Sequence, residues 1–282
     1  MSAPVAAPLR GVKVVSLAVN LPGPLAVAEL VRLGATATKV EPPTGDPLAA
    51  VAPSWYDELV AGVDVVTVDL KTADGTQKLA ALLEDCDILV TAHRPSALAR
   101  LRLDAMMQNR DRLVHLEIVG GDGDLAEVPG HDLTYQAAHG TVLPPQMPCV
   151  PVADILGAER AVTAALGALL SRAQTGEGGR ARVSLDAAAH AAAGAVRHGL
   201  TGPGDPLGGA LPQYGLHRTS DGHIAAGALE PHFAERFRRH VGESPEEIAD
   251  AFAQHPTAYW EALGIEHDIP LVGVLPARRT DR

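Results

Sequence analysis

The sequence predicts an α/β protein with a Rossmann-like parallel sheet in a large domain and a smaller α+β domain after it. In the first half, short β-branched runs alternate with helical patterns, which favours parallel strands joined by helices that cover both faces of the sheet. A stretch rich in Gly and Pro, 201–212, then interrupts the pattern, and a hairpin signal follows it. We therefore predict a large domain at 1–200, a linker at 201–212 and a small domain at 213–282.

The strands and helices of the large domain are predicted from hydrophobic periodicity. Strand patterns lie at Val12–Leu17, Thr36–Val40, Val63–Leu70, Ile88–Thr91, Leu113–Ile118 and Arg182–Leu185, and helical patterns lie at Leu25–Leu33, Thr76–Leu83, Ser96–Asn109, Leu156–Ser171 and Asp186–His198. The passage from Gly120 to Val152 breaks this alternation and is predicted to be a long loop. Long loops at the ends of parallel strands are where functional sites tend to lie.

The small domain is predicted to begin with a hairpin. Tyr214–Thr219 and His223–Ala226 flank Ser220-Asp221-Gly222, and an Asp-Gly pair tolerates the positive φ that a tight hairpin turn requires. Helical patterns follow at Pro231–His240, Pro245–Gln254 and Thr257–Leu263. Together these segments predict a small α+β domain.

Composition excludes several classes of function. Aromatic residues make up 3% of the chain and the net charge is −11, which argues against a nucleic-acid partner. Hydrophobic residues make up 46%, enough for a core, but their runs are too short or too interrupted to span a bilayer. The two cysteines, Cys86 and Cys149, make neither a disulfide framework nor a metal site, and no signal-peptide pattern precedes them. We therefore expect a cytoplasmic protein without a membrane segment.

Four residues offer proton-handling or nucleophilic chemistry: His131, Asp132, Asp154 and Glu230. A histidine and a separate carboxylate suit a reaction that removes a proton from one face of a carbon and returns one to the other face. A second carboxylate is able to orient the histidine. From the residues alone, a hydrogen-bonded structural histidine and a helix N-cap at Asp154 remain open as interpretations. His115 and His139 are further candidates for which the sequence shows no partner.

The chain from Leu9 to Leu275 resembles the family III CoA-transferases (the CaiB/BaiF superfamily) and, within them, the α-methylacyl-CoA racemases. The resemblance rests on short segments in the same order along the chain: Leu9–Leu17, Pro22-Gly23-Pro24, Leu33-Gly34-Ala35, Lys39–Pro43 with Gly45-Asp46, Val68–Lys71, Arg94-Pro95, Gly130-His131-Asp132, Gly176–Gly179 and Tyr214–Phe233. The last of these, which ends in Gly227–Phe233, is the part most similar to the racemases. The resemblance implies an acyl-CoA thioester substrate and a homodimer, and it leaves open whether the two subunits are interlocked.

By this resemblance, His131 and Asp154 act on opposite faces of C2 of a 2-methylacyl-CoA, and Glu230 pairs with His131. Asp154 is expected at or just before a helix N-terminus, and Gly157 in the first turn is expected to leave backbone amides open to an enolate oxygen. In the transferase branch, an aspartate at the place of Asp132 is instead the nucleophile that forms a mixed anhydride. Racemase is therefore the leading hypothesis and CoA transfer through Asp132 the second.

Lys39, Lys71 and Arg94 are the predicted contacts to the CoA phosphates, with a solvated surface charge as the alternative interpretation of each. The family carries cations just before its Asp-Leu-Lys segment, whereas the matching stretch here is Val60–Asp64. The chain also stops where family members run on, so a shortened, non-catalytic relative is a third hypothesis. No metal or nicotinamide cofactor is predicted, because neither a ligand cluster nor a Gly-x-Gly-x-x-Gly segment after the first strand is visible. No cofactor is expected beyond the CoA part of the substrate.

Overall fold

The structure is a computed structural model that describes residues 7–275. It divides into two compact units, one that ends at Ala193 and one that begins at Gly194. The Gly- and Pro-rich stretch 201–212, predicted to be a linker, belongs to the second unit. Each unit has its own hydrophobic core, so the two are described in turn.

A six-stranded parallel sheet forms the centre of the first unit. Its strands are β1 (Lys13–Ser16), β2 (Thr36–Glu41), β3 (Val63–Thr67), β4 (Ile88–Thr91), β5 (Val114–Val119) and β6 (Gly179–Ser184). They lie side by side in the order β3-β2-β1-β4-β5-β6, and every pair is parallel. This is the strand order of the doubly wound nucleotide-binding fold. The predicted fold class is confirmed.

Helices cover both faces of this sheet. They are α1 (Pro22–Arg32), α2 (Pro47–Val51), α3 (Pro53–Leu59), α4 (Ala73–Leu82), α5 (Pro95–Arg100), α6 (Leu103–Met107), α7 (Asp132–Ala138), α8 (Val152–Thr175) and α9 (Leu185–Ala192). Successive residues of a strand point to opposite faces, and accordingly Val14 joins the core under α1 and α8 whereas Val15 joins the core under α4. The central strands β4 and β5 are buried along their whole length, because helices cover both of their faces, whereas the edge strands β3 and β6 are largely exposed.

The second unit packs helices against one face of a small antiparallel sheet. Its strands are β7 (Tyr214–Arg218), β8 (His223–Gly227) and β9 (Leu271–Gly273), in that order, and its helices are α10 (Gly194–Arg197), α11 (Pro231–His240), α12 (Pro245–Gln254) and α13 (Thr257–His267). Ile224, Phe237, Phe252 and Trp260 form the centre of its core. The hairpin and the three longer helices are as predicted, whereas β9 is an additional strand.

The hairpin turn differs from the one that the Asp-Gly pair predicts. Four residues, Thr219–Gly222, connect β7 to β8, and neither Asp221 nor Gly222 has a positive φ. The Asp221 carboxylate instead accepts hydrogen bonds from the backbone N–H of Thr257, at 2.8 Å, and from the Thr257 hydroxyl, at 2.9 Å. Asp221 thus fixes the start of α13, and the four-residue turn leaves its side chain free to make these bonds.

Two predicted helices are interrupted, and the predicted long loop contains a helix. The 96–109 pattern is split into α5 and α6, because Arg102 between them adopts a left-handed φ of 52°. The 186–198 pattern is likewise split between α9 and α10. The passage predicted to be a loop holds α7 and a 3₁₀ turn at Gly123–Glu127. Helices α2 and α3, each opened by a proline, were not predicted because both are too short to show a period.

A buried charged network lies beside the ends of β1 and β2. Lys39 is 2% exposed, and its Nζ contacts the carboxylate of Glu41 and lies 2.7 Å from Asp46 Oδ2. The Tyr56 hydroxyl donates to Glu41 Oε1 at 2.6 Å, and burial together with this bond raises the pKa of Tyr56 above its ordinary value. One lysine thus compensates two buried carboxylates, so removing it would leave both uncompensated.

We expect Lys39→Met to lower the free energy of unfolding by about 3–5 kcal/mol, because breaking a buried pair leaves uncompensated charge. Lys78→Met is the matched control, since Lys78 is 61% exposed and pairs with Asp74 on the surface of α4. That exposed pair contributes about 0.5 kcal/mol or less. Urea denaturation of the two variants measures both values, and equal losses would contradict the structural role given to Lys39.

Candidate functional site

A cavity of about 160 Å³ opens at the carboxyl edge of the parallel sheet. Its lining comes from the segments that follow β1, β4 and β5, together with the starts of α7, α8 and α9: Val19, Asn20, Pro22, Ala92, His93, Arg94, Ile118, Val119, Gly120, Ala126, Val128, Gly130, His131, Tyr135, Asp154 and Leu185. In this strand order, β1 and β4 are the neighbours whose connections run in opposite directions. Doubly wound sheets bind their ligands in the crevice at that switch point.

His131 lies at the cavity as the residue that precedes α7. Its extended backbone, with φ −138° and ψ 167°, ends the preceding segment, and its N–H donates to Thr134 Oγ1 at 3.0 Å. The Thr134 hydroxyl donates back to the His131 carbonyl at 2.7 Å. These two bonds fix the backbone while the side chain remains exposed at the cavity. An imidazole in this position is accessible to a bound molecule.

Asp154 reaches the same cavity from the first turn of α8. The helix begins at Val152, so Asp154 lies inside it and is not the N-cap that the sequence left open. Burial, and then the neighbouring charge of Asp132, raise the pKa of Asp154 to about 7. The helix dipole favours the anion at this end, but burial and the like charge outweigh it. A carboxyl group with such a pKa exchanges protons readily near neutral pH.

The Asp132 carboxylate joins α7 to α8. Its Oδ1 accepts hydrogen bonds from the backbone N–H of Ala153, at 2.7 Å, and of Asp154, at 3.3 Å. Its Oδ2 accepts from Nε2 of the buried Gln136 at 2.6 Å. The carboxylate therefore satisfies amides at the start of α8, as a capping side chain does. Within residues 7–275, Asp132 is not among the residues that line the cavity.

The start of α8 does not offer the open amides that Gly157 was expected to provide. A Cβ on Gly157 would lie 2.3 Å from Leu185 Cδ2, so this glycine packs against a side chain of α9. Nearer the helix end, the N–H groups of Ala153 and Asp154 already bind Asp132. The expectation of an oxyanion-binding role for this turn is therefore wrong.

Glu230 belongs to the second unit, where it immediately precedes α11. Its side chain is exposed and makes no capping hydrogen bond to that helix. A carboxylate that does not cap its own helix is available for another role. Its pairing with His131 stays a prediction.

The three predicted phosphate contacts have different environments. Arg94 is exposed, precedes α5 and lines the cavity, and Lys71 is exposed four residues after β3, at the same carboxyl edge of the sheet. Lys39 is buried and engaged by Glu41 and Asp46. Lys39 is therefore a structural cation rather than the predicted phosphate contact, since a buried ammonium between two carboxylates has no access to a ligand.

The two additional histidines have partners that the sequence did not reveal. His139 Nε2 lies 2.9 Å from Asp186 Oδ1. His115 is buried in β5, with Nε2 at 3.0 Å from Thr91 Oγ1. Burial lowers the pKa of His115 below its ordinary value, which favours the neutral ring. Neither histidine lines the cavity in the part of the chain that the structure describes.

Three polar side chains of the cavity were not predicted: Asn20, His93 and Tyr135. The first two follow the carboxyl ends of β1 and β4, and the rule that ligands bind at the switch point could have identified them. The Tyr135 ring is held against two glycines, since a Cβ on either Gly120 or Gly130 would lie 2.5 Å from the Tyr135 hydroxyl oxygen. Gly130 is thus required beside His131 because the tyrosine occupies the space of a side chain.

A metal centre is not found in the described part of the chain. Among residues 7–275, no group of three or more His, Cys, Asp or Glu side chains has the geometry to hold a metal ion. No helix in that range is long and apolar enough to cross a membrane.

Comparison with known proteins identifies the class that this fold and cavity define. Residues 9–280 match CoA-transferase family III, and the chain therefore belongs to that family. The probable fatty acyl-CoA transferase Rv3272 of Mycobacterium tuberculosis is 31% identical to it over 61% of this chain and 48% of that protein. The α-methylacyl-CoA racemase of Mus musculus is 26% identical over 89% of this chain and 74% of that protein. Both transferases and a racemase are thus among its relatives.

The solved structures show the same fold. The orthorhombic crystal form of Rv3272 superposes with a TM-score of 0.80 at 23% identity, covering 98% of this chain and 84% of that one. A CaiB/BaiF family protein from Brucella suis gives 0.78 at 23% identity, covering 96% and 84%. The chain spans about half the length of the curated transferases that it matches. An acyl-CoA substrate is consistent with this family.

Proposed function

We propose that the protein is a 2-methylacyl-CoA racemase or a close epimerase, which inverts C2 by two-base proton transfer. The observation that carries the proposal is the division of roles among the acidic and basic side chains. His131 and Asp154 line one cavity, whereas Asp132 is bound to the start of α8. Two proton-handling groups at the cavity suit inversion, whereas three hydrogen bonds to the Asp132 carboxylate reduce its availability as a nucleophile.

The proposed step conserves atoms and electrons. One base takes the α-proton, the C–H electron pair becomes the C2–C1 double bond, and the carbonyl π electrons move to the thioester oxygen. The enolate then collapses as the other group donates a proton to the opposite face of C2. Each turnover leaves the first base protonated and the second deprotonated, so the two groups exchange roles in the reverse direction.

The protonation state of Asp154 suits this exchange. With a pKa raised to about 7 by burial and by Asp132, Asp154 is present in both forms at neutral pH. The carboxyl group is therefore able to take a proton in one direction of the reaction and to give one in the other.

The CoA part of the substrate would contact the carboxyl edge of the sheet. Arg94 lines the cavity and Lys71 lies on the same edge beyond it. Arginine binds phosphate through two parallel hydrogen bonds, and lysine binds it as a point charge. These two cations support the proposed CoA site, while the buried Lys39 does not contribute.

CoA transfer through Asp132 remains the second candidate, because several relatives are named CoA-transferases. We expect Asp132→Asn to retain α-proton exchange within about tenfold, since asparagine still accepts hydrogen bonds from the amides of α8. A carboxylate nucleophile, in contrast, is lost completely in this variant. Exchange and acyl-CoA transfer to a free carboxylate, measured on the same preparation, distinguish the two activities. If wild type transfers CoA but exchanges no α-proton, and Asp132→Asn loses the transfer, the result would favour the transferase.

The direct test incubates the purified protein with one C2 epimer of a 2-methylacyl-CoA in deuterated water. Racemisation predicts deuterium at C2, detected by mass spectrometry, together with loss of configuration. A folded protein that incorporates no deuterium would contradict the proposal. Addition of a free carboxylic acid would then separate transferase activity from a non-catalytic relative, since only the former changes the acyl group on CoA.

A further inference from the structure

An enolate oxygen needs a hydrogen-bond donor, and the start of α8 does not supply one. The amides of Ala153 and Asp154 are bound to Asp132, and Gly157 is covered by Leu185. The donor must therefore come from another segment that lines the cavity. A preorganised donor at this atom is among the largest contributions that a site makes to such a reaction.

Asn20 has the position that this role requires. It follows β1 at the switch point, lies on the lining of the same cavity as His131 and Asp154, and has an exposed side chain. Its carboxamide carries two N–H donors and no charge at any pH. A cation in this place would lower the pKa of Asp154. A neutral donor binds the developing negative charge without that effect.

The backbone of Asn20 is held in a conformation that few residues adopt. Its φ of 66° is in the left-handed region, where asparagine is tolerated better than most side chains. Asp46 Oδ1 accepts the Asn20 N–H at 3.0 Å, and the same oxygen accepts the N–H of Leu48 at 2.9 Å. Non-glycine residues in such conformations persist where the surroundings fix them, and they are concentrated at functional sites.

The buried pair of Lys39 and Asp46 fixes this acceptor. Asp46 is 3% exposed, and Lys39 Nζ lies 2.7 Å from its Oδ2. The carboxylate has one oxygen bound to the lysine and the other to the backbone of Asn20. The pair thus connects the interior directly to the segment at the mouth of the cavity.

Other polar groups of the cavity are less suited to the role. The hydroxyl of Tyr135 is held between Gly120 and Gly130. His93 also lines the cavity, but its Nδ1 is buried, whereas the Asn20 side chain is exposed. Arg94 is charged and is already the proposed phosphate contact.

We propose that the carboxamide of Asn20 donates a hydrogen bond to the carbonyl oxygen of a bound acyl-CoA thioester, and that the Lys39–Asp46 pair positions Asn20 to do so. This assignment rests on the proposed thioester substrate. It makes Asn20 a catalytic residue and Asp46 a positioning residue.

Asn20→Gly is the decisive variant, because glycine adopts a φ of 66° without strain and removes only the carboxamide. We expect the maximal rate of deuterium exchange to fall about 10²- to 10³-fold, as when an oxyanion donor is removed. KM should change much less, because the bond strengthens as charge develops. Asn109→Gly is the matched control, since Asn109 is also exposed and has a φ of 62° but does not line the cavity described here. An unchanged exchange rate in Asn20→Gly would overturn the assignment.

A binding experiment separates this inference from the proposed function. An acyl-CoA thioester and the corresponding S-alkyl-CoA thioether differ in the carbonyl oxygen, and one hydrogen bond changes affinity about 5- to 10-fold. Wild type should prefer the thioester by this factor, Asn109→Gly should keep the preference, and Asn20→Gly should lose it. If wild type shows this preference and Asn20→Gly loses it, but wild type shows no exchange, the racemase proposal fails and the role of Asn20 stands; a preference that Asn20→Gly keeps overturns that role. Equal affinities in wild type, or binding of neither compound, would overturn the role of Asn20.

Discussion

Replacing His131 by glutamine is expected to stop inversion of the proposed substrate while one C2 epimer still exchanges its α-hydrogen. In a two-base mechanism each group removes the proton from one epimer only. Without the imidazole, the epimer whose α-proton faces Asp154 should still lose and regain that proton at the carboxylate, and the other epimer should not react. Removing a general base or acid lowers the rate about 10²- to 10⁴-fold. Deuterium incorporation measured separately for the two epimers tests this expectation.

The control for this variant is His139→Gln. His139 lies at the end of α7, is paired with Asp186 at 2.9 Å, and is not among the cavity residues in the described range. Glutamine still hydrogen-bonds to that carboxylate, so the exchange rates of both C2 epimers should stay within a few-fold of wild type. If His131→Gln exchanges both epimers as fast as this control, His131 is not a base.

Asp154→Asn is expected to show the complementary loss, so that the C2 epimer whose α-proton faces Asp154 no longer exchanges.

The pH dependence of exchange in wild type should also differ between the two C2 epimers. Where Asp154 acts as the base, the carboxylate must be ionised, so the rate rises with pH and levels off above about 7, the value to which burial raises its pKa. Where Asp154 acts as the acid, the rate falls above the same pH. Initial rates for each epimer between pH 5 and 9 measure both limbs.

The Asp154→Asn variant should be more stable than wild type at alkaline pH. A carboxyl group whose pKa rises from 3.8 unfolded to about 7 folded binds more protons in the folded state, so stability falls as pH increases through this window. Asparagine carries no charge and avoids that loss. The gain in free energy of unfolding should be larger at pH 8 than at pH 5, by at most about 2–3 kcal/mol. Urea denaturation at the two pH values measures it.

Asp74→Asn provides the stability control. Asp74 is also in the first turn of a helix, but its side chain is 75% exposed and pairs with Lys78 on the surface. Its replacement should change stability by about 0.5 kcal/mol or less at both pH values. A pH-independent effect of Asp154→Asn would show that burial does not hold this carboxyl group near neutrality.

Local patterns were sufficient for the sheet but not for its interruptions. The central strands of the first unit follow from short β-branched runs, because burial on both faces selects such residues, whereas β6 has one β-branched residue and begins three residues before its predicted start at Arg182. The break between α5 and α6 depends on one left-handed residue, Arg102, in a segment with continuous helical periodicity. Periodicity records which face is buried and not the φ of a single residue.

The candidate site was predicted as a set of residue types, whereas their environments depend on contacts distant in sequence. Asp132 accepts hydrogen bonds from amides 21 and 22 residues away, and no local pattern predicts this pairing. Lys39 was predicted to bind phosphate because its charge was visible and its carboxylate partner Asp46, seven residues on, was not recognised as one. Asn20 carries no sequence signature, since its role follows from backbone geometry and from its place after β1.

The double anchorage of α7 to the segment after it has a consequence for how this surface can vary. Gln136 donates to the Val150 carbonyl at 2.9 Å, while its own carbonyl accepts a hydrogen bond from Thr141 N at 3.1 Å. Gln136 therefore holds both ends of the loop 141–150. The cost of closing a loop grows only slowly with its length. Insertions or deletions between these anchors can reshape the approach to the cavity while His131 and Asp154 keep their places.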